Sequence, residues 1–412
     1  MRLQAETRNT SQFVRILVAG ACVFMSVAMS GCNTIYREFG GAFEGGPHEL
    51  DAALSDDATK LVKEAFEGLD DQIIADYHVH VIGDHINENW LSWSHPLKRI
   101  RTAVYLTASG VELNETYVED YANRLVDLIR NSPRRGRYHI YAMDKHYRPD
   151  GTVNEAMTPF YVSNDYVIDL AKQHPDIFVP VISVHPNRDD AVAELTHLAE
   201  QGHRFVKWLP NAMGIDPSDS RHEAFYRVMK QFDMVLLSHT GMEQAVDAHG
   251  SQNLGNPLLL RTPLSFSVKV VALHVASTGT DIDLDDERRP TVSSFDLFMR
   301  MMDTPQYDGL LFGEISATTF FNHLHQPLRV LLERQDLHHR LLNGSDYPLP
   351  GINFLLRTSS LVDGGFITRE QRKHLNEIYK YNPLLFDFVI KRTIRHPQTG
   401  QPFKPDLFTA TP

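Results

Sequence analysis

Cysteine is nearly absent from this chain. Two stand in 412 residues, Cys22 and Cys32, which excludes a disulfide scaffold and a cysteine-rich zinc module. Positive charge is in deficit: 40 Lys and Arg face 52 Asp and Glu, a formal −12, which argues against a nucleic-acid footprint. Long apolar runs are scarce; residues 16–29 are apolar and uncharged but fall short of the roughly 20 residues a spanning helix needs. No long charge run, low-complexity block or internal repeat interrupts residues 61–395. No G-x-G-x-x-G follows the first apolar run, which disfavours an open doubly wound dinucleotide fold. What is left is ordinary globular usage, 42% hydrophobic and 22% charged, so disorder is excluded too. The length suits one α/β barrel or two ordinary domains. Against the two cysteines stand 21 histidines.

The N-terminus reads as an address. Arg2, Arg8 and Arg15 precede the apolar stretch 16–29, and Ser30, Gly31 and Cys32 follow it, the layout of a secretory signal. Met29-Ser-Gly-Cys32 resembles the lipobox of bacterial lipoproteins, with Met29 where Leu is usual. That resemblance implies cleavage before Cys32 and a lipid on its sulfur, and Asn33 then implies retention in an outer membrane, facing the periplasm. An uncleaved anchor helix is the alternative. Gly40, Gly41, Gly45, Gly46 and Pro47 make the following stretch read as a flexible tether. The chain thus divides into a signal (1–31), a tether (32–60), a barrel (61–395) and a C-terminal tail (396–412). Cleavage removes Arg2, Glu6, Arg8 and Arg15, a net +2, leaving −14 on the mature side chains. The membrane partner is therefore reached through lipid and not through charge.

Short apolar runs alternate with helical patterns across the body. Strands are expected at 73–80, 138–144, 178–184, 203–209, 234–239, 269–275, 309–315 and 340–346. Most lack polar alternation, as parallel strands buried on both faces do. Val118, Tyr121, Leu125 and Leu128 predict a helix over 116–131. Val192, Leu195 and Leu198 predict another over 188–201 behind a cap at Asn187. Eight strands alternating with helices point to an α/β fold, a (β/α)8 TIM-type barrel. A helical insertion follows strand one (81–137), with Trp90 and Trp93 near the mouth, and extra helices follow the barrel at 368–395.

In such a barrel chemistry sits at the carboxyl ends of the strands. There the sequence places His78 and His80, then Lys207, His239, His274 and Asp346. His78 and His80 are two apart and share one face, so together they can hold one divalent cation. Singly, each of these residues has an ordinary structural explanation. As a set they are polar groups at the ends of apolar strands, where burial costs free energy unless they are paired or metal-bound.

The ordered set Asp76-x-His78-x-His80, Phe-Val-Lys207, Ser-His239-Thr-Gly, Leu-His274 and Gly-Ser-Asp346-Tyr-Pro resembles the amidohydrolase superfamily of metal-dependent hydrolases. The last segment is most similar to the branch that holds both hydrolases and non-oxidative decarboxylases. The resemblance implies His78 and His80 on a first metal, with Asp346 as shared ligand and catalytic base. It implies a carboxylated Lys207 bridging to a second metal held by His239 and His274. Zinc suits these nitrogen and oxygen donors, although ligand type leaves manganese, iron and nickel open. The mononuclear alternative puts one ion on His78, His80, His239 and Asp346, with His274 as base or electrophile and Lys207 as a charged substrate contact. The reaction implied is metal-assisted cleavage of an amide, ester or lactone of a small molecule. The alternatives are a decarboxylase of the same superfamily and a non-catalytic envelope lipoprotein that keeps the barrel.

Trp208, Arg261, Glu314 and Tyr347 are the expected substrate contacts, with a supporting or structural role equally open for Glu314, and Asn211 and Asn343 lie on nearby mouth loops. His185 reads as a loop cap, and His338 and His339 as surface residues. The acidic stretch Asp281–Glu287 reads as a solvated loop.

Overall fold

All eight expected runs form strands: β1 (Ile74–His80), β2 (Gly136–Tyr141), β3 (Phe178–Val181), β4 (Phe205–Trp208), β5 (Val235–His239), β6 (Lys269–Leu273), β7 (Leu311–Glu314) and β8 (Leu341–Leu342). They are seen in a computed structural model that describes residues 40–69, 73–84, 86, 88–91, 96–134, 136–248, 250–324 and 326–412. The signal segment, Cys22, Cys32 and Trp93 lie outside the described residues. The fold is α/β with parallel sheets. β1, β2 and β3 form one parallel sheet, and β4 to β8 form a second in sequence order; two short antiparallel pairs, Trp90–Leu91 with Phe160–Tyr161 and Thr280–Ile282 with Thr291–Ser293, lie outside them. Isolated parallel bridges link the two parallel sheets, Ile182 with Val206 and Val79 with Tyr347. The amide of Lys207 donates to Ile182 O at 2.7 Å, and that of His80 to Tyr347 O at 3.0 Å.

The two sheets share an inner apolar cluster of Ala75, Tyr77, Tyr141, Val181, Val235, Leu237, Val271, Leu273, Phe312 and Leu342. Strand alternation then carries the inner face toward the carboxyl ends, where it turns polar: Lys207 follows Phe205, His239 follows Leu237 and Glu314 follows Phe312. β1 needs an irregularity to do the same. Its register against β2 runs Asp76 with Tyr138, then Val79 with Ile140, three residues against two. Such an extra residue is a β-bulge, and it switches which side chains face in. Tyr77 belongs to the inner cluster while Val79 packs outside, so His78 and His80 continue inward after Tyr77.

Two helices, α2 (Pro96–Ser109) and α3 (Tyr117–Arg130), fill the long connection after β1. Val118, Tyr121, Leu125 and Leu128 are buried on α3 as their spacing predicts. α4 (Ala191–Glu200) buries Leu195 and Leu198, but its cap is Asp190 rather than Asn187, and Val192 is 41% exposed. Beyond β8 come α5 (Arg369–Tyr379) and α6 (Pro383–Thr393). Thr368 and Gln371 form a capping box on α5, and the Asn382 side chain accepts from Leu385 N on α6. Among the described residues, no helix is long and apolar enough to cross a membrane.

Both chain ends differ from expectation. From Gly40 onward the expected tether is packed. Gly41 N donates to Gly351 O at 2.9 Å, and Glu44 N to Lys380 O at 2.9 Å. Helix α1 (Asp56–Ala65) follows, capped by Ser55. The glycines serve close approach, not flexibility: a Cβ on Gly41 would lie 1.9 Å from Thr107 O, and its φ is +72°. The tail 396–412 is packed as well. Phe403, Leu407 and Phe408 are buried, and Ala410 packs against the inner cluster beside Phe205, at the amino ends of the strands.

Candidate metal centre

The seam between β1 and β8 is held by a dense hydrogen-bond set. Asp76 Oδ1 accepts from His78 N at 3.0 Å and Ser345 N at 2.9 Å. Asn343 Nδ2 donates to Ala75 O at 2.9 Å, and Asp346 N to His78 O at 2.8 Å. Burial pushes the Asp76 carboxyl up to about 7 against these bonds. Asp346 adopts φ +58°, a left-handed conformation that Asp tolerates better than most residues. The turn therefore delivers the Asp346 carboxylate onto β1. His78 Nε2 and His80 Nε2 stand 3.1 Å apart, and Asp346 Oδ1 lies 3.3 Å and 3.2 Å from them. Three donors bound tetrahedrally to one zinc at about 2.0–2.1 Å sit about 3.3 Å from one another. The donor set and its spacing fit a divalent cation.

Behind the pair, Glu314 Oε2 lies 3.1 Å from His78 Nδ1. A carboxylate accepting there puts the proton on Nδ1 and turns the Nε2 lone pair toward His80 and Asp346. Ser316 Oγ donates to Glu314 Oε2 at 2.7 Å and lies 2.9 Å from His274 Nδ1. Glu314 is fully buried, and burial raises its carboxyl above the usual range. It is thus not a substrate contact but the group that orients a ligand.

The second arc, on β4 to β6, is less complete. Lys207 is buried, its Nζ 4.8 Å from the Tyr141 ring centre. Among the described residues no hydrogen bond or ion pair reaches that Nζ. Burial lowers its pKa to about 8, against the opposing carboxylates of Asp346, Glu243 and Glu314. His239 Nδ1 is 3.4 Å from Glu243 Oε2, while His239 Nε2 is buried with no partner. Burial, then the Lys207 charge, holds His239 down at about 3. Burial likewise depresses His78 and His274. The His274 ring lies 4.8 Å from His78 and 4.9 Å from His239. β6 ends at Leu273, so His274 is not in the strand. It opens a turn in which His274, Val275 and Ala276 have φ of +62°, +49° and +49°, a conformation costing about 1–3 kcal/mol per residue. His78, His274 and Glu314 form one group of adjacent donors, and His78, His80 and Asp346 another.

The remaining expected contacts lie elsewhere. Trp208 is buried in the core, Nε1 donating to Val184 O at 2.9 Å, its ring against Phe225. It follows inward-facing Lys207 in a strand and so must point outward. Tyr347 is buried, its hydroxyl 3.4 Å from Ser109 O. Arg261 pairs with Asp285. The acidic stretch is pinned rather than freely solvated: Arg300 grips Asp283, and Ser294 donates to Asp281. His338 is buried, bonding Leu331 O at 2.8 Å, whereas His339 is exposed. His185 caps a loop, with Nε2 on Met213 O and Nδ1 accepting from Asn187 N. Asn211 and Asn343 donate to backbone carbonyls.

Four participants escaped the sequence reading. Glu243 lies four residues after His239. Ser316 lies two after Glu314. His323 lies 2.7 Å from Ser277 Oγ and is depressed to about 3 by burial and then by His239. Lys391, fully buried on α6, donates to Asp387 Oδ2 at 2.6 Å and to Gly344 O, in the turn that carries Asp346. The Asp387–Lys391 spacing inside an apolar helix was the one sequence signal of that pair.

The family described as amidohydrolase matches residues 75–311, a span that ends in β7, before β8 and Asp346. Among solved structures, the chain is similar to an uncharacterized TIM-barrel protein from Bordetella bronchiseptica: 16% identity, TM-score 0.46, covering 67% of this chain and 86% of that one. It is similar to a protein described as a probable 2-pyrone-4,6-dicarboxylic acid hydrolase from Acinetobacter baumannii: 14% identity, TM-score 0.42, covering 75% and 99%. It is also similar to a 2,6-dihydroxybenzoate decarboxylase from Rhizobium: 10% identity, TM-score 0.40, covering 75% and 98%. No curated protein gives a significant match.

Proposed function

The chain belongs to the amidohydrolase family, and from that premise we propose that His78, His80 and Asp346 hold the primary metal of its active site. The protein is a metal-dependent hydrolase-type enzyme acting on a small molecule, with an amide, ester or lactone as the bond cleaved. The observation that carries the site is the convergence of two imidazole nitrogens and one carboxylate oxygen within 3.1–3.3 Å. A divalent cation held there supplies Lewis acidity and lowers the pKa of water it binds toward about 7. Asp346 then takes the proton of the attacking water and passes it to the leaving group. Glu314 keeps His78 in the tautomer that presents Nε2. The eight strands form a closed barrel in this reading, supported by the bridges at both seams.

Lys207, His239 and His274 would hold a second ion, with zinc as the metal and Lys207 carboxylated to serve as its ligand. Its support is chemical. A buried lysine near 8 has free amine to add to carbon dioxide, and the carbamate removes an ammonium that two cations would repel. The orphaned His239 Nε2 supplies a ready donor. A metal count and an intact mass of Lys207 peptides test this, alongside assays on esters, amides and lactones. Two equivalents with carboxylated Lys207 are expected. One equivalent with unmodified Lys207 selects the mononuclear plan, in which His274 acts as base and decarboxylation is the rival chemistry. That second reading has its own observation: among the described residues both groups of converging donors include His78, and neither includes Lys207 or His239. Unchanged activity in Asp346→Asn would reject catalysis at this site.

The same reading attaches the enzyme to the bacterial envelope through a lipid on Cys32, on the periplasmic side of the outer membrane. The Met29-Ser-Gly-Cys32 motif supports it. Cys32→Ser should release the protein from membrane fractions.

A further inference from the structure

Resting on the lipid-anchor reading, we propose that the catalytic end of the strands is held against the bilayer surface and the opposite end is held away from it. Gly40 and Gly41 are buried, with Gly41 N bonded to Gly351 O. Gly351 lies five residues past Asp346 in a tight turn, since Leu349 N donates to Asp346 O at 2.9 Å and Gly351 N to Pro348 O at 3.0 Å. A Cβ on Gly40 would touch Gly351 O, Ile352 and Ala108 at 3.0–3.5 Å, so the chain is wedged at the rim of the catalytic end. From there it runs down the side of the molecule. Phe66 stacks on Phe388 at 4.8 Å, Arg392 Nε donates to Ala65 O at 2.7 Å, and β1 then starts at Ile74, at the amino ends of the strands.

Covalent length now decides orientation. Cys32 and Gly40 are eight residues apart, and a chain spans at most about 3.3–3.6 Å per residue, so the lipid lies within about 29 Å of the rim. A tether reaching to residue 60 would span about 100 Å and allow any orientation. The packed body of about 370 residues has a radius of gyration of about 21 Å, hence a thickness of roughly 50 Å. An inverted body would need the anchor to reach across that thickness, and it is too short. The partner is the lipid headgroup layer, and the end held nearest it is the rim at which Gly40 docks, where Ala42, Glu44 and Gly110 are exposed.

The test uses the full lipidated chain in vesicles of phosphatidylethanolamine and phosphatidylglycerol containing an acceptor-labelled lipid. The described body holds no cysteine, so a donor dye can be placed at Gln244→Cys, on the loop after β5, or at Gln201→Cys, before β4 at the other end. Energy transfer is expected to be stronger from 244 than from 201, and inserting twenty Gly and Ser residues after Asn33 should narrow the gap. Equal or reversed transfer in the unmodified chain overturns the orientation. If Cys32→Ser stays on membranes, the lipid premise fails and the orientation with it. If that variant is released while the transfers are equal, the orientation alone fails.

Discussion

The β1–β8 seam and the β4–β6 arc face one another across the same site, yet they are built differently. At the seam Asp76, Asn343, Ser345 and Glu314 fix His78 and the turn bearing Asp346, and among the described residues Asn343 Oδ1 is the seam atom left without a partner. On the arc, His239 Nε2 has no partner and Lys207 is buried without an ion pair. Buried polar atoms left unpaired cost about 1–3 kcal/mol each. The difference teaches that the seam is held by contacts within the chain, while the arc keeps buried polar atoms that the proposed second ion would engage.

The sharpest way to break this contrast is at the seam. Asp346→Asn should lower turnover about 10²–10⁴-fold while the fold persists, as seen in steady-state rates beside circular dichroism. Beneath the seam, Lys391→Met strands Asp387 and should cost about 3–5 kcal/mol in urea unfolding. Adding Asp387→Leu should recover most of that, because a buried pair is replaced by apolar contacts. Glu314→Gln removes the carboxylate behind His78 and should weaken metal binding about 10–100-fold in chelator competition. On the arc the sign reverses. His239→Phe should leave the metal-free protein as stable or up to about 1 kcal/mol more stable, because it removes an orphaned nitrogen, while it weakens metal loading.

A separate effect is with pH. Burial holds His139 at about 4 and His185 at about 3, against about 6.5 in the unfolded chain. Between those values the unfolded state binds more protons, so stability rises with pH. Their contribution is whole above about 6.5 and fades as pH falls toward 4 and then 3, by about 1.4 kcal/mol per unit for each histidine. Metal-free urea unfolding at pH 7 and pH 5 should show it.

Much of the site was legible. His78, His80, Lys207, His239, His274 and Asp346 are visible because a polar residue at the end of an apolar strand needs a reason. Trp208 and Tyr347 were misread although the period of two held the answer for Trp208: it follows an inward Lys207. Glu314 was seen, but its role stayed open between substrate contact and support, because its partner His78 lies 236 residues away. Ser316 was silent for the same reason, and the helical spacing of Asp387 and Lys391 said nothing of the turn that Lys391 braces. The glycines at 40–46 suggested slack, when Gly41 in fact allows the backbone to touch Thr107.

The sequence by itself determined the strand count, the alternation with helices and the polar residues at the strand ends. Those follow from local period and the cost of burying polarity. Tertiary structure alone decided the bulge that turns His78 inward after Tyr77, the Glu314 bond that sets its ring, and the docking of Gly41 that shortens the tether. Each depends on contacts between residues far apart in the chain, which local patterning does not encode.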